Sequence, residues 1–276
     1  MHSFSGKTVF ITGGDRGMGL QAATMAAERG AHVAIFSRSA GEAAEQAIRA
    51  ATAGPAQRVA RYALDVADRE RVQAVMAQAE REFGSPDVVI CMAGYGGTQR
   101  FVDIGHAEFD RMMQVNLYGT RHVIEAVMPG MLARGHGTLV PVGSLGGFVP
   151  VYGYSAYGAT KFALTGMISC LRAELAPLGV RVCFFCPGQV DTPGLATEAR
   201  DLLPAAGILK SIGGTLPATV AVGALMRGIE RGRFLIIPGW RAKLVFWMYR
   251  LTPTPLWNAV SDALVRVALR RAPSTR

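Results

Sequence analysis

Lys7-Thr-Val-Phe-Ile-Thr12, running straight into Gly13-Gly14-Asp15-Arg16-Gly17-Met18-Gly19, sets the architecture of the whole chain. The first six residues are a short β-rich run, and a helical pattern continues from the glycines to Gly30. Strand, glycine turn and helix form the geometry that cradles a pyrophosphate on helix N–H groups. A glycine cluster alone is a weak signal, and its place between a strand and a helix is what gives it weight.

The pattern repeats outward from there. The next strand, His32 to Phe36, ends in Ser37-Arg38. An acid at that point would grip a ribose 2′-hydroxyl, whereas a small hydroxyl followed by arginine favours a 2′-phosphate. Arg16 adds a second cation at the same end; the plainer reading of both arginines is surface solubility. A helix (Gly41 to Ala51) and a strand (Arg58 to Leu64) lead to Asp65-Val66, where an acid and a backbone amide can reach an adenine edge. The helix Asp68 to Phe83 precedes the strand Asp87 to Cys91, which is capped by Met92-Ala93-Gly94. A long helix is expected from about Ala107 to Arg134 with Asn116 near its middle. Asparagine is a poor helix-interior residue, so an interior role such as holding water is expected for it. Strands follow at Gly137 to Gly143 and Val180 to Phe185, separated by a helix from Tyr154 to Pro177. This alternation implies an α/β fold with a doubly wound parallel sheet. Pro187-Gly188-Gln189-Val190-Asp191-Thr192-Pro193 then leaves the sheet at its C-terminal edge, where such folds bind ligands.

The chemistry is expected between Ser144 and Lys161. Tyr157 and Lys161 are four apart, so at a helix start both side chains rise from one face. An ammonium there should lower the phenol's pKa from about 10 and make it a general acid/base for an alcohol oxygen. Ser144, at the mouth of the preceding strand, is placed to hold the same oxygen. A lone Tyr-x-x-x-Lys is usually an ordinary helix pair, and the upstream motifs are what overturn that reading.

Together these residues resemble the classical short-chain dehydrogenase/reductase family over about residues 5 to 240. Thr12-Gly13-x-x-x-Gly17-x-Gly19 matches its cofactor turn, and Asn116, Ser144, Tyr157 and Lys161 match its catalytic tetrad. Pro187-Gly188 with Thr192 matches its nicotinamide-side loop. Cys91-Met92-Ala93-Gly94 departs from the usual Asn-Asn-Ala-Gly and keeps only the second half. The resemblance implies a Rossmann fold and an NADP(H) cofactor held by Thr12, Gly13, Arg16, Gly17, Met18 and Gly19 at the turn. Further contacts are implied from Ser37, Arg38, Asp65, Val66, Ala93 and Gly94, and from Tyr157, Lys161, Pro187, Gly188, Val190 and Thr192 on the other side. It implies that Tyr157 protonates the alkoxide, Ser144 steadies the carbonyl and Lys161 serves both tyrosine and ribose. Asn116 would order a proton-relaying water. A looser resemblance, to 3-ketodihydrosphingosine reductases, implies a lipophilic ketone as substrate, with the loop from Ala199 to Thr215 as its cover.

Other functions are disfavoured. Cys183 and Cys186 are three apart in a strand and point to opposite faces, which suits core packing rather than redox work. Ser144 lacks a Gly-x-Ser-x-Gly elbow. No histidine is paired at metal-ligand spacing, so no metal is expected. With four cysteines and no signal peptide before Lys7, a cytoplasmic setting with reduced thiols is expected. No apolar run is long enough to span a bilayer.

The net charge of +9 is unevenly placed: the stretch from Arg231 to Arg276 holds nine Lys and Arg residues against Asp262 alone, and so carries +8. Its aromatic and aliphatic content argues against nucleic acid. A catalytic domain over residues 1–238 is therefore expected to carry a basic amphipathic extension at 239–276. Trp240, Trp247, Tyr249 and Trp257 suit peripheral contact with a lipid headgroup layer through 239–271. The resemblance also implies a homo-oligomer, and packing within it is the alternative role for this stretch. A non-catalytic NADP(H)-binding scaffold at a membrane, a reductase or dehydrogenase of a different small hydrophobic carbonyl or alcohol, and a basic interaction protein remain the competing functions.

Overall fold

Val9, Phe10 and Ile11 are completely buried at the centre of the computed structural model, which describes residues 4–39, 41–199 and 202–271. Their strand, β1 (Thr8–Thr12), lies between β2 (His32–Ser37) and β4 (Val88–Cys91), and all three run parallel. With β3 (Val59–Ala63), β5 (Gly137–Pro141) and β6 (Val180–Val182) the sheet has the order β3-β2-β1-β4-β5-β6. It is the doubly wound α/β sheet that the sequence predicts.

Side-chain alternation explains why both faces need helices. Phe10 and Phe36 point one way, with rings 5.3 Å apart, and Phe36 stacks on Tyr62 at 5.1 Å. They share a core with α3 (Arg69–Phe83), α5 (Gly119–Arg134) and α6 (Ser155–Leu175). Val9, Ile11, Val33 and Ile35 point the other way, onto α1 (Gly17–Glu28), α2 (Glu42–Ala50) and α9 (Ala218–Glu230).

Four departures from the sequence reading matter for the site. The expected helix at 107–134 is two helices, α4 (His106–Met113) and α5, joined by a π-turn over Gln114–Tyr118 that holds Asn116. The strand expected at 180–185 pauses at Cys183 and resumes as β7 (Phe184–Phe185), which pairs with β10 (Leu235–Ile236). Cys183 and Cys186 are both fully buried, in the two opposite cores, as packing requires.

The expected cover loop is instead ordered. It contains α7 (Pro193–Glu198) and α8 (Pro204–Ile212), between two short paired strands, β8 (Gln189–Asp191) and β9 (Thr215–Pro217). Its residues 200 and 201 lie outside the described residues.

The basic extension forms α10 (Trp240–Leu251) and α11 (Thr254–Arg271), split at Pro253, with its end at 272–276 outside the described residues. Ala242 and Phe246 of α10 are buried in the main core, where Phe246 meets Phe148 edge-on at 5.1 Å. The α11 helix packs on α8. Among the described residues no helix is long and apolar enough to cross a membrane.

Candidate active site

The glycine turn after β1 is shaped for a ligand's phosphates. Gly13 has φ +66°, and a Cβ on Gly19 would sit 1.9 Å from the Gly13 carbonyl oxygen, so only glycine lets α1 close onto the turn. Arg16, which precedes α1, makes no side-chain cap, and the helix has no acid in its first turn. Its first N–H groups and its dipole are therefore available to an anion.

A cleft of about 790 Å³ opens there, lined by Gly13, Arg16, Gly17, Met18 and Gly19. Ser37, Arg38, Asp65, Val66, Ala93 and Gly94 complete its walls. Thr12 lies underneath, its Oγ1 accepting from Ala93 N at 3.2 Å, which ties the glycine turn to the chain beyond Cys91. The departure at Cys91-Met92 thus leaves this tie intact, with Cys91 buried in the core. The residues present fit a dinucleotide: glycine turn, free helix N-terminus and open cleft at the C-terminal ends of β1, β2 and β4.

Arg16 and Arg38 are exposed and form no salt bridge among the described residues. Asp15, beside them, accepts from Ser39 Oγ at 2.8 Å. Asp65 is held by Arg111 at 2.6 Å and by Ala67 N at 3.0 Å. Burial acts to raise this carboxyl's pKa, but those bonds and the Arg111 and Arg38 charges prevail and lower it.

Across the cleft a second cavity, of about 360 Å³, brings Ser144, Tyr157 and Lys161 together with Pro187, Gly188, Val190 and Thr192. Ser144 Oγ accepts from Gly146 N at 3.1 Å and is hydrogen-bonded to the Tyr157 hydroxyl. A Cβ on Gly96 would lie 3.1 Å from the Tyr157 ring, so bare backbone packs against that face. Lys161 is buried, and its Nζ donates to the Val142 carbonyl at 2.9 Å. Nζ lies 5.8 Å from the Tyr157 ring centroid.

The electrostatics differ from the sequence expectation. Burial pushes the Tyr157 phenol up to about 12; the Ser144 hydrogen bond opposes this, while the Glu198 and Cys186 charges add to it. Burial also brings Lys161 down to about 8, with Cys186 acting the other way. Lys161 therefore does not draw the phenol toward neutral pH in this state, because desolvation dominates both groups.

Asn116 lines neither cavity. It is fully buried: Oδ1 accepts from Tyr95 N at 3.0 Å, and Nδ2 donates to Tyr95 O at 2.8 Å and Thr160 Oγ1 at 3.2 Å. Its side chain clamps the segment after Gly94 to α6, so any water it orders must use the backbone of the π-turn.

Sequence reasoning missed a polar cluster in the same cavity. Tyr154 donates its hydroxyl to Glu198 Oε1, and Lys210 Nζ lies 2.8 Å from that oxygen. These residues come from the start of α6, from α7 and from α8, and no spacing links them. It also missed Val245, Met248, Trp257, Val260 and Leu264, by which the extension forms an apolar wall of the cavity. Among the described residues there is no cluster able to hold a metal ion.

The family described as short chain dehydrogenase matches residues 7–202 of the chain. A probable oxidoreductase of Mycobacterium tuberculosis is 36% identical over 199 residues, covering 70% of this chain and 33% of that protein. The chain thus spans about a third of the length of that relative. A 3-dehydrosphinganine reductase of Arabidopsis thaliana is 33% identical over 231 residues, 83% of this chain and 68% of that one. The crystal structure of a short-chain dehydrogenase from Streptomyces avermitilis superposes with a TM-score of 0.77 at 26% identity, covering 98% of this chain and 100% of that one.

Proposed function

Because the chain belongs to the short-chain dehydrogenase family, we propose that it is an NAD(P)-dependent oxidoreductase that reduces a lipophilic ketone to a secondary alcohol, with NADPH preferred. The observation that carries this reading is the cavity joining Ser144, Tyr157 and Lys161 to apolar side chains from α8, α10 and α11. A ketone there would accept a hydrogen bond from Ser144. A nicotinamide cofactor, when bound in the cleft at the glycine turn, would supply hydride for the carbonyl carbon. Tyr157, its phenol pushed up to about 12 by burial, would give its proton to the nascent alkoxide, a much stronger base than a phenolate. Lys161 lines the same cavity and would hold the ribose. In the π-turn, the Asn116 backbone would order the water that resupplies the proton.

Support for NADPH comes from Arg16 and Arg38 at the mouth of the cleft, with no acid ending β2 and Asp65 held by Arg111. The Arabidopsis relative's name suggests a long-chain keto base, and the apolar cavity suits such a chain.

Peripheral membrane contact through 239–271, on a cytoplasmic membrane face, is part of the proposal. Trp240 is 72% exposed and Leu251 76%, and Leu256, Val260 and Val267 of α11 are also exposed. Lys and Arg residues of the two helices flank them, and each contributes about 1 kcal/mol near an anionic surface. The same apolar face would serve subunit packing in a homo-oligomer.

The test is NADPH oxidation against ketones of graded chain length. We expect kcat/KM to rise with length; no turnover of any ketone would leave only the non-catalytic scaffold. Co-sedimentation with anionic vesicles at low salt tests the surface role. Ala242 and Phe246 of α10 are core residues and α11 walls the cavity, so the variant that isolates this role replaces the exposed Trp240 and Leu251 by polar residues and keeps both helices.

A further inference from the structure

The Tyr154–Glu198–Lys210 cluster lies on the wall of the catalytic cavity and has no part in the proton and hydride steps. Its acid and base are nearly enclosed, with 14% of the Glu198 side chain and 11% of Lys210 exposed. Tyr154 is buried, its ring centroid is 5.0 Å from that of Tyr157, and Lys210 Nζ sits 5.3 Å over it. Glu198 borders both the cofactor cleft and the substrate cavity.

The two contacts on Glu198 fall on one oxygen. Tyr154 and Lys210 both donate to Oε1, and among the described residues Oε2 takes no hydrogen bond. A carboxylate has about four acceptor sites, so Oε2 is free to receive a donor from a ligand. A buried ion pair is a poor device for stability, because desolvation offsets the attraction. Set in a mostly apolar cavity beside Tyr157, its use lies in recognition.

We propose that Glu198, seated by Tyr154 and Lys210, is a specificity-determining residue that accepts a hydrogen bond from a hydroxyl group close to the substrate's carbonyl. This rests on the ketone-reductase reading and narrows it to ketones with a polar end and an apolar remainder. The pair is neutral as a unit, which favours a neutral donor; an ammonium would meet Lys210 beside the same carboxylate. With its carbonyl oxygen at Ser144 and Tyr157, the substrate turns its hydroxyl toward α7 and its chain toward α10 and α11. The Glu198 charge acts to raise the Tyr157 phenol's pKa, which agrees with this proximity.

The experiment compares three ketones of equal chain length with NADPH and the full chain: one unsubstituted, one hydroxylated and one aminated on the carbon beside the carbonyl. The hydroxy ketone should exceed the unsubstituted one in kcat/KM by about tenfold or more, the scale of a hydrogen bond to a charged group. Glu198→Gln keeps the shape and removes the charge, and should bring that ratio most of the way to one. A latch that merely closes α7 and α8 over the site would lower both ketones in proportion, and an unchanged ratio in the variant would overturn the proposal. Equal kcat/KM for the two ketones in the unaltered protein overturns it without any variant. Preference for the amino ketone over the hydroxy ketone overturns the choice of a neutral donor. Turnover of none of the three removes the reductase reading and this assignment with it, so the two failures are told apart.

Discussion

On the cofactor side, most of the cleft's walls are built by residues just past the end of a parallel strand: Gly13 after β1, Arg38 after β2, Asp65 after β3 and Gly94 after β4. On the substrate side the walls come from α7, α8, α10 and α11, which reach Tyr157 from distant parts of the chain. The first kind of site is local, since a strand's end fixes where the next few residues stand. The second depends on packing between helices whose sequences carry no shared period. A fold of this kind can therefore hold its cofactor geometry while the substrate wall changes almost independently.

The largest expected effect tests whether that independence is real. Phe246 belongs to the extension, yet it is 5% exposed and packs against Phe148, which follows the Ser144 loop. Phe246→Ala should cost about 3–5 kcal/mol of stability, the range for a buried aromatic cut to alanine. Its neighbour Trp247 is 54% exposed, and Trp247→Ala should cost well under about 1 kcal/mol. Chemical denaturation of the pair decides: equal and small losses would mean that the extension is an appendage that the core does not need.

Next in size is the chemistry common to both rims. Tyr157→Phe removes the proton that the proposed reduction transfers and keeps the ring that packs on Gly96, so turnover should fall by about 10² or more while cofactor binding persists. A variant with near-normal turnover would move the acid elsewhere. In the unaltered protein the phenol's pKa of about 12 predicts reduction that does not fade through deprotonation of Tyr157 at neutral pH. Oxidation of the alcohol, which needs the phenolate, should rise steadily with pH.

These two results bear on how much was legible before the structure. The parallel sheet, the glycine turn and the Ser144–Tyr157–Lys161 set were legible because each is local: strand periodicity, a turn only glycine can make, and helix spacing. The π-turn at Asn116 was not, since its cause is the tertiary pairing of that side chain with Tyr95 and Thr160. Nor was the Glu198–Lys210 pair, whose members lie on separate helices. The reversal at Tyr157 has the same origin. Spacing brings lysine near tyrosine, but only the burial of both determines that desolvation outweighs their attraction.

Lys161 makes that reversal measurable as stability. Its pKa falls from 10.5 to about 8 on folding, so between those values the unfolded chain holds more protons and stability rises with pH. Below about pH 8 the folded protein carries the full cost of a buried ammonium, partly repaid by the bond to Val142 O. Lys161→Met should therefore raise stability at pH 7 by about 1–3 kcal/mol while abolishing most activity, and the gain should vanish near pH 10. A less stable variant at pH 7 would show that the hydrogen bond outweighs the desolvation.

The smallest effect sharpens the cofactor rim. Arg38 is exposed just beyond β2, and its charge acts on Asp65, which follows the neighbouring β3. If it faces a 2′-phosphate, Arg38→Asp replaces attraction by repulsion at a solvent-accessible position, where screening keeps the change to about tenfold in NADPH affinity. Binding of NADH should change little or improve, because a carboxylate at the end of β2 can accept from ribose hydroxyls. Asp15 lies in the glycine turn beside Arg16 and accepts from Ser39, which follows Arg38, and its charge opposes a 2′-phosphate in the unaltered protein. Removing it by Asp15→Asn should push the preference further toward NADPH, opposite in sign to Arg38→Asp. Titrating both cofactors against both variants by fluorescence reads the two signs together. If the NADPH/NADH ratio moves the same way in both, or in neither, charge at this rim does not select the cofactor.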